Sequence, residues 1–343
     1  MTEAAAILPA TFDPLRRFEP APLCRRALVM GRQLQVATNS ARLLAGVEAA
    51  LPVSSEAPAE VDANDFRWTL IEDTALRRPA PVCPPSLPAW PELSLYSDGQ
   101  LGYINVGERG FAAVDAKLRQ AVAVLPPDLV ESNCPLAAVF LATLFQLTAP
   151  WLGLTPLACG CVAAGPRAVL ILGPPESGKT SSVYAAGALG LEMRADQACF
   201  LDGDLGEMRV WGQFWPAVFR PSALGHSPQL RDQVRRFEYQ GVPFLGADLF
   251  SVSGPTVPVR PIGLVFLDRG GRGQGRLERL SLAERESRLE EFGGLARTSG
   301  GGAHRAALLA LPAYDLAYGN DPATAAAVYR QLLENGATAA VAS

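Results

Sequence analysis

The chain has 343 residues, 49% of them hydrophobic and 19% charged, with a net charge of −4. That length can bury one large core or two, and the mild acidity gives no electrostatic reason to expect nucleic acid. The six cysteines form no C-x-x-C pair and have no histidine at metal spacing, so no zinc site is evident and a reduced, cytoplasmic setting is expected.

Residues 1–20 read as an irregular lead-in, and MTEAAAILPATFDPLRR lacks the basic start and apolar core of a secretory signal. Ala27–Thr38 alternates like a strand or hairpin. Asn39 or Ser40 then caps a helix over ARLLAGVEAAL. Pro52–Asn64 reads as a linker and Phe66–Ile71 as a strand. Residues 79–92 hold six prolines and are expected to be an extended connector. Short strands with turn signals follow at Leu93–Tyr96, Leu101–Val106 and Phe111–Val114, and Ala116–Val124 fits a helix or a strand. The first third is therefore β-rich with one helix.

Pro135–Gly165 carries no charge. Leu136–Leu154 is long enough to span a membrane, but it contains Gln146, Thr148, Pro150 and Gly153 and lacks flanking basic or aromatic belts. A buried helix over Leu136–Leu147 and a buried strand over Pro156–Ala164 account for it better, so no membrane is expected. Cys159 and Cys161 alternate within that strand as small buried side chains.

Ala168–Leu172 reads as another buried strand, and it leads into Gly173-Pro-Pro-Glu-Ser-Gly178-Lys179-Thr180. This fits G-x-x-x-x-G-K-[ST], the phosphate-binding P-loop, with a helix expected from Lys179 onward. A triphosphate needs several backbone N–H groups aimed at its oxygens, which a glycine-hinged turn supplies. Lys179 offers a point charge to the β- and γ-phosphates and the Thr180 hydroxyl a ligand to Mg²⁺. Lys179 and Lys117 are the only lysines in the chain. Pro174 and Pro175 have no N–H, so the cradle falls to Glu176, Ser177, Gly178, Lys179, Thr180 and Ser181. A Glu176 carboxylate near the phosphates weakens binding unless it turns outward.

Beyond the P-loop, Leu191–Met193 and Gln197–Leu201 read as strands around Arg194-Ala195-Asp196, and Gly203–Trp211 continues with β-type alternation. His226–Gln240 is polar surface. Pro261–Leu267 is a fully apolar strand, and RGGRGQGR at 269–276 is a flexible hairpin loop more than an RNA-binding segment. Ser281 and Glu284 form a capping box for a helix with Leu282, Leu289 and Phe292 inward. Thr298–Ala303 is a glycine loop, and Asp321-Pro322 opens a last helix ending near Asn335-Gly336. Asp202 and Asp268 each end an apolar run, a Walker-B-like form that is also common at solvated strand ends. Arg220 is a phosphate or acceptor contact, or a surface arginine.

No N-K-x-D stretch reads a guanine base, and no L-S-G-G-Q stretch marks a transporter ATPase. Gly190 is instead followed by a strand-like segment ending in Ala195-Asp196-Gln197. With the strand and P-loop before it, and with Phe266-Leu-Asp-Arg-Gly, Leu277–Ser281 and Leu316-Ala-Tyr-Gly319 after it, the chain resembles the HPr kinase/phosphorylase superfamily, especially its shorter HPr-kinase-like branch. The resemblance covers residues 130–335 well and the N-terminal third loosely.

The resemblance implies an α/β fold: a P-loop HPr-kinase-like core over 126–343 with a mixed sheet and flanking helices, beside a β-rich region over 1–125. It implies transfer of a phosphoryl group from ATP, with Mg²⁺, to a serine hydroxyl of a protein or peptide acceptor. Gly173 and Glu176–Ser181 would hold the nucleotide, Lys179 would act on the phosphates, and Thr180 and Asp196 would hold the metal. Asp196 would also take the hydroxyl proton or orient the acceptor. Two positions depart from the family: Gln197 replaces a second aspartate, and Cys159 stands where a histidine is common. A catalytically weakened nucleotide-binding regulator or scaffold is therefore the alternative, with a small-molecule kinase third. Family kinases are often oligomeric, which leaves a homo-oligomer open.

Overall fold

A computed structural model describes residues 19–51, 53–54, 65–73, 87–90, 93–97, 100–106, 110–131, 136–203, 207–226, 228–239, 242–250, 257–268, 276–292, 301–319 and 321–336. The protein is mixed α/β, and it divides into two units. One comprises Met1–Ala27, Gln33–Ala49 and Val53–Asn133; the other comprises Leu28–Arg32, Ala50–Pro52 and Cys134–Ser343.

The first unit is built on strands β1 (Leu23–Val29), β2 (Arg32–Thr38), β3 (Val53–Ser54), β4 (Phe66–Glu72), β5 (Leu87–Trp90), β6 (Leu93–Ser97), β7 (Leu101–Val106), β8 (Gly110–Asp115) and β9 (Gln120–Leu125). They form one sheet in the order β3-β1-β2-β4-β9-β8-β7-β6-β5, with β2–β4 and β4–β9 parallel. Helix α1 (Ala41–Ala50) is capped by Ser40, whose hydroxyl accepts the Leu43 N–H at 3.2 Å. Asn39 pairs instead with the backbone of Glu72, accepting its N–H at 2.8 Å and donating to its carbonyl at 3.1 Å. The Glu72 carboxylate is buried and held by Ser40 and Arg42. The ambiguous segment from Ala116 resolves into a turn through Arg119, at φ +51°, followed by β9. Leu87–Trp90, inside the expected connector, is a strand; most of that connector and the linker lie outside the described residues. A short helix, α2 (Pro127–Glu131), follows.

In the second unit the uncharged stretch begins with a wide, π-helical segment, Leu136–Leu141, and continues as α3 (Ala142–Thr148). Among the described residues no helix is long and apolar enough to cross a membrane. The expected single strand over Pro156–Ala164 is two strands in different sheets. β10 (Thr155–Leu157) pairs with β14 (Cys199–Asp202), whereas β11 (Gly160–Ala164) pairs with β12 (Arg167–Leu172). The chain changes sheets at Ala158-Cys159, and because both strands are buried the hydropathy shows no break.

The central sheet runs β13-β11-β12-β19-β21-β20, with β13 (Glu192–Ala195), β19 (Arg260–Asp268), β20 (Arg276–Arg279) and β21 (Ala313–Ala317). β12, β19 and β21 are parallel neighbours, and the other pairs are antiparallel. Both faces of β12 are covered beyond Arg167, which is why Ala168–Leu172 is apolar throughout. Val169 and Ile171 pack under α4 (Lys179–Ala188) and α7 (Pro322–Asn335). Ala168, Leu170 and Leu172 face the opposite layer, which includes Leu289 of α5 (Leu282–Phe292), Leu308 of α6 (Gly301–Ala310) and Val210 of β15 (Arg209–Trp211). A separate three-stranded sheet orders β16 (Ala217–Phe219), β18 (Val242–Ala247) and β17 (Arg235–Tyr239), so part of the expected polar surface is a hairpin.

The capping box forms: Ser281 N–H donates to Glu284 at 2.7 Å and Glu284 N–H to the Ser281 hydroxyl at 3.4 Å. Leu282, expected inward, is 60% exposed. One turn on, Arg285 donates to the carbonyls of Leu309 and Leu311 just beyond or at the end of α6. The start of α5 thus lies beside helix-end carbonyls, which call for donors and not for an apolar cover. Residues 298–300 of the expected glycine loop and 269–275 of the hairpin loop lie outside the described residues, and Gly301 already belongs to α6.

Candidate nucleotide site

Three parallel strands, β12, β19 and β21, end at one edge of the central sheet, and β13, antiparallel to β11, ends there too. Along that edge the chain therefore sets Asp196 after β13, Cys159 before β11, Gly173 after β12, Asp268 at the end of β19 and Tyr318 after β21. Carboxyl ends of strands in an open α/β sheet are where such folds bind ligands.

The P-loop crosses from β12 to α4, which begins at Lys179 as expected. Gly173 has φ +149° and Gly178 φ +93°. A Cβ on Gly173 would come within 2.9 Å of the Ser177 hydroxyl and 3.1 Å of the Leu267 carbonyl, so only glycine fits there. Glu176 takes φ +63° and is exposed, turned away from the buried part of the loop. Ser177 is buried with its hydroxyl unpartnered, while its carbonyl accepts the Tyr318 hydroxyl at 2.6 Å. The first bond of α4 runs from Ser182 N–H to Gly178. The N–H groups of Lys179, Thr180 and Ser181 precede it and have no acceptor within the helix, which leaves them suited to an anion.

Lys179 folds back over the loop, its ammonium donating to the carbonyls of Gly173 and Pro174 at 2.8 Å each. Burial lowers its pKa, opposed by the nearby Cys159 and Asp196. Asp196 is 2% exposed, and neither carboxylate oxygen has a hydrogen bond of normal geometry. Burial lifts its pKa from 3.8 to about 6, with Thr180, Gln213 and Lys179 acting in the opposite direction. Lys179, Thr180 and Asp196 therefore lie close together at this edge.

The other candidates fall elsewhere. Asp202 is spent on structure, accepting the Trp211 indole N–H at 3.1 Å, the Gly203 N–H at 2.9 Å and the Arg32 guanidinium at 2.9 Å. Asp268 is an exposed strand end at the site's edge. Arg220 lies over the Phe244 ring, 4.8 Å from its centroid. Gln197, in place of a second carboxylate, is half-buried. Cys159, Cys161 and Cys199 are buried thiols, and Cys199 is raised well above its ordinary value by burial and by the other two. Among the described residues no three His, Cys, Asp or Glu side chains are grouped to hold a metal by themselves.

Sequence reasoning missed four supports. The Tyr329 hydroxyl donates to the Ser182 hydroxyl at 3.0 Å, which donates to the Lys179 carbonyl at 2.9 Å, and Tyr318 holds Ser177. Gln213, fully buried, accepts the N–H groups of both Asp196 and Gln197 at 3.0 Å. Ser182 and Tyr329 lay in expected helices and Tyr318 in a segment of the resemblance, but no spacing marked their roles.

No protein-family model matches the chain, and no curated protein matches it significantly.

Proposed function

We propose that the second unit is a P-loop core of the HPr-kinase-like kind that transfers the γ-phosphoryl group of ATP to a serine hydroxyl of a protein or peptide. The observation that carries this reading is the convergence of Lys179, Thr180 and a buried, unbonded Asp196 carboxylate on the edge that holds the P-loop. These residues fit Mg²⁺-nucleotide. One hydroxyl and one carboxylate are the usual protein share of a Mg²⁺ shell completed by phosphates and water, and the helix-start N–H groups suit the phosphates. When bound, Mg²⁺ neutralises charge developing on the phosphoryl oxygens.

The chain's own residues have distinct parts. Lys179 leaves the Gly173 and Pro174 carbonyls for the β- and γ-phosphates, and the backbone from Glu176 to Ser181 encloses them. Asp196, its pKa raised to about 6 by burial, accepts the proton of an acceptor hydroxyl placed against it. Gln197 and Cys159, in place of a carboxylate and a histidine, favour a second reading, a nucleotide-binding regulator or scaffold with weakened catalysis.

ADP release from ATP in the presence of Mg²⁺, with water taking the phosphoryl group where no serine acceptor is supplied, separates the two. The kinase reading expects turnover in the wild type, its loss in Lys179→Ala, and a drop of at least about a hundredfold in Asp196→Asn with Mg²⁺-free ATP binding retained. Turnover unchanged in Asp196→Asn overturns the catalytic assignment.

A further inference from the structure

Gln213 lies between β15 and the aromatic segment Phe214-Trp215 and is fully buried. Its side-chain oxygen accepts two adjacent N–H groups, those of Asp196 and Gln197, at 3.0 Å each. Its amide nitrogen donates to the Trp215 carbonyl at 3.2 Å, and its own backbone N–H donates to the Arg194 carbonyl at 3.0 Å. The side chain is thus fixed at both ends, with its oxygen oriented by the two donors it meets. The mount is rigid as well. Phe214 and Trp215 stack edge-to-face at 5.0 Å, Phe214 against Phe145 at 5.0 Å and Trp215 against Phe200 at 6.0 Å. Two N–H groups at the end of β13 would otherwise lack an acceptor, and a chain leaving a strand with free donors can turn several ways.

We propose that Gln213 is a positioning residue that pins the Asp196–Gln197 backbone so that the Asp196 carboxylate is presented to Thr180 and Lys179. This rests on the reading of Asp196 as a group facing Mg²⁺-nucleotide. A buried glutamine satisfying two consecutive amides performs in one side chain what a neighbouring strand would otherwise do, while leaving the carboxylate unbonded.

The test uses the full chain with Gln213→Met, which keeps side-chain length and removes both polar ends. Two readouts are needed: amide hydrogen exchange at Asp196 and Gln197, and ATP affinity with and without Mg²⁺. Gln213→Met is expected to speed exchange at those two amides by about tenfold or more. It should also cut the Mg²⁺-dependent gain in affinity by about tenfold while leaving Mg²⁺-free binding unchanged. A purely structural role would not single out the Mg²⁺-dependent part. If the wild type gains affinity with Mg²⁺ and Gln213→Met keeps that gain, the positioning role falls alone. If the wild type gains nothing, the Mg²⁺-nucleotide reading falls and takes the proposal with it. Should Gln213→Met not fold, Gln213→Asn, one methylene too short to reach both amides, is expected to show the same losses and overturns the proposal if it does not.

Discussion

Asp196 holds a carboxylate where water cannot reach it, and folding bears the cost. Its pKa rises from 3.8 to about 6, chiefly through burial. Between those values the folded chain keeps a proton that the unfolded chain has released. Stability therefore falls as pH rises through that window and stays lowered above it. The full difference is about 3 kcal/mol. Asp196→Asn, neutral at every pH, is expected to be more stable than the wild type at pH 8 by up to about 3 kcal/mol, and the gap should narrow as pH is lowered through the window. Urea unfolding at pH 8 and pH 5 measures it; a variant no more stable at pH 8 would contradict the burial of an ionised Asp196. A group so placed that its removal stabilises the fold is the pattern expected of a functional residue.

At the scale of elements, the P-loop helix is held from behind. α7 begins at Asp321, which caps it by accepting the Ala323 N–H at 3.0 Å, and it carries Tyr329 to the Ser182 hydroxyl of α4. Tyr329 is fully buried, and burial raises its pKa, so its hydroxyl remains a donor throughout the working pH range. Tyr329→Phe removes one buried hydrogen bond and leaves Ser182 its bond to the Lys179 carbonyl. The expected loss is about 1 kcal/mol of stability, read by thermal or urea unfolding; no loss would mean that the bond contributes nothing to seating α4. This support was illegible in the sequence. Ser182 and Tyr329 are 147 residues apart and follow no local pattern. The caps at Ser281 and Asp321 were legible because capping acts within one turn. Leu282 misled because helical spacing reports which face a residue shares and not how far along that face the cover extends.

For the whole molecule, the α/β class was expected from the family resemblance, and the apolar runs Ala168–Leu172 and Pro261–Leu267 agree with the mixed α/β architecture, since a strand covered on both faces has no polar period. The switch between two sheets at Ala158-Cys159 left no such mark. Lys179 and Thr180 were legible as candidates because the P-loop motif is contiguous, and Asp196 because its place after the P-loop matches the family that the chain resembles. Gln213 was not, since its part depends on the chain just after β15 meeting the end of β13. The central claim is that this edge of the second unit binds Mg²⁺-nucleotide through the P-loop. Calorimetric titration of the full chain with ATP, with and without Mg²⁺, for wild type and Lys179→Ala, tests it most directly. The account predicts saturable binding by the wild type, strengthened by Mg²⁺, and its loss in Lys179→Ala with the fold intact. Absence of binding by the wild type, or equal binding by Lys179→Ala, would contradict it.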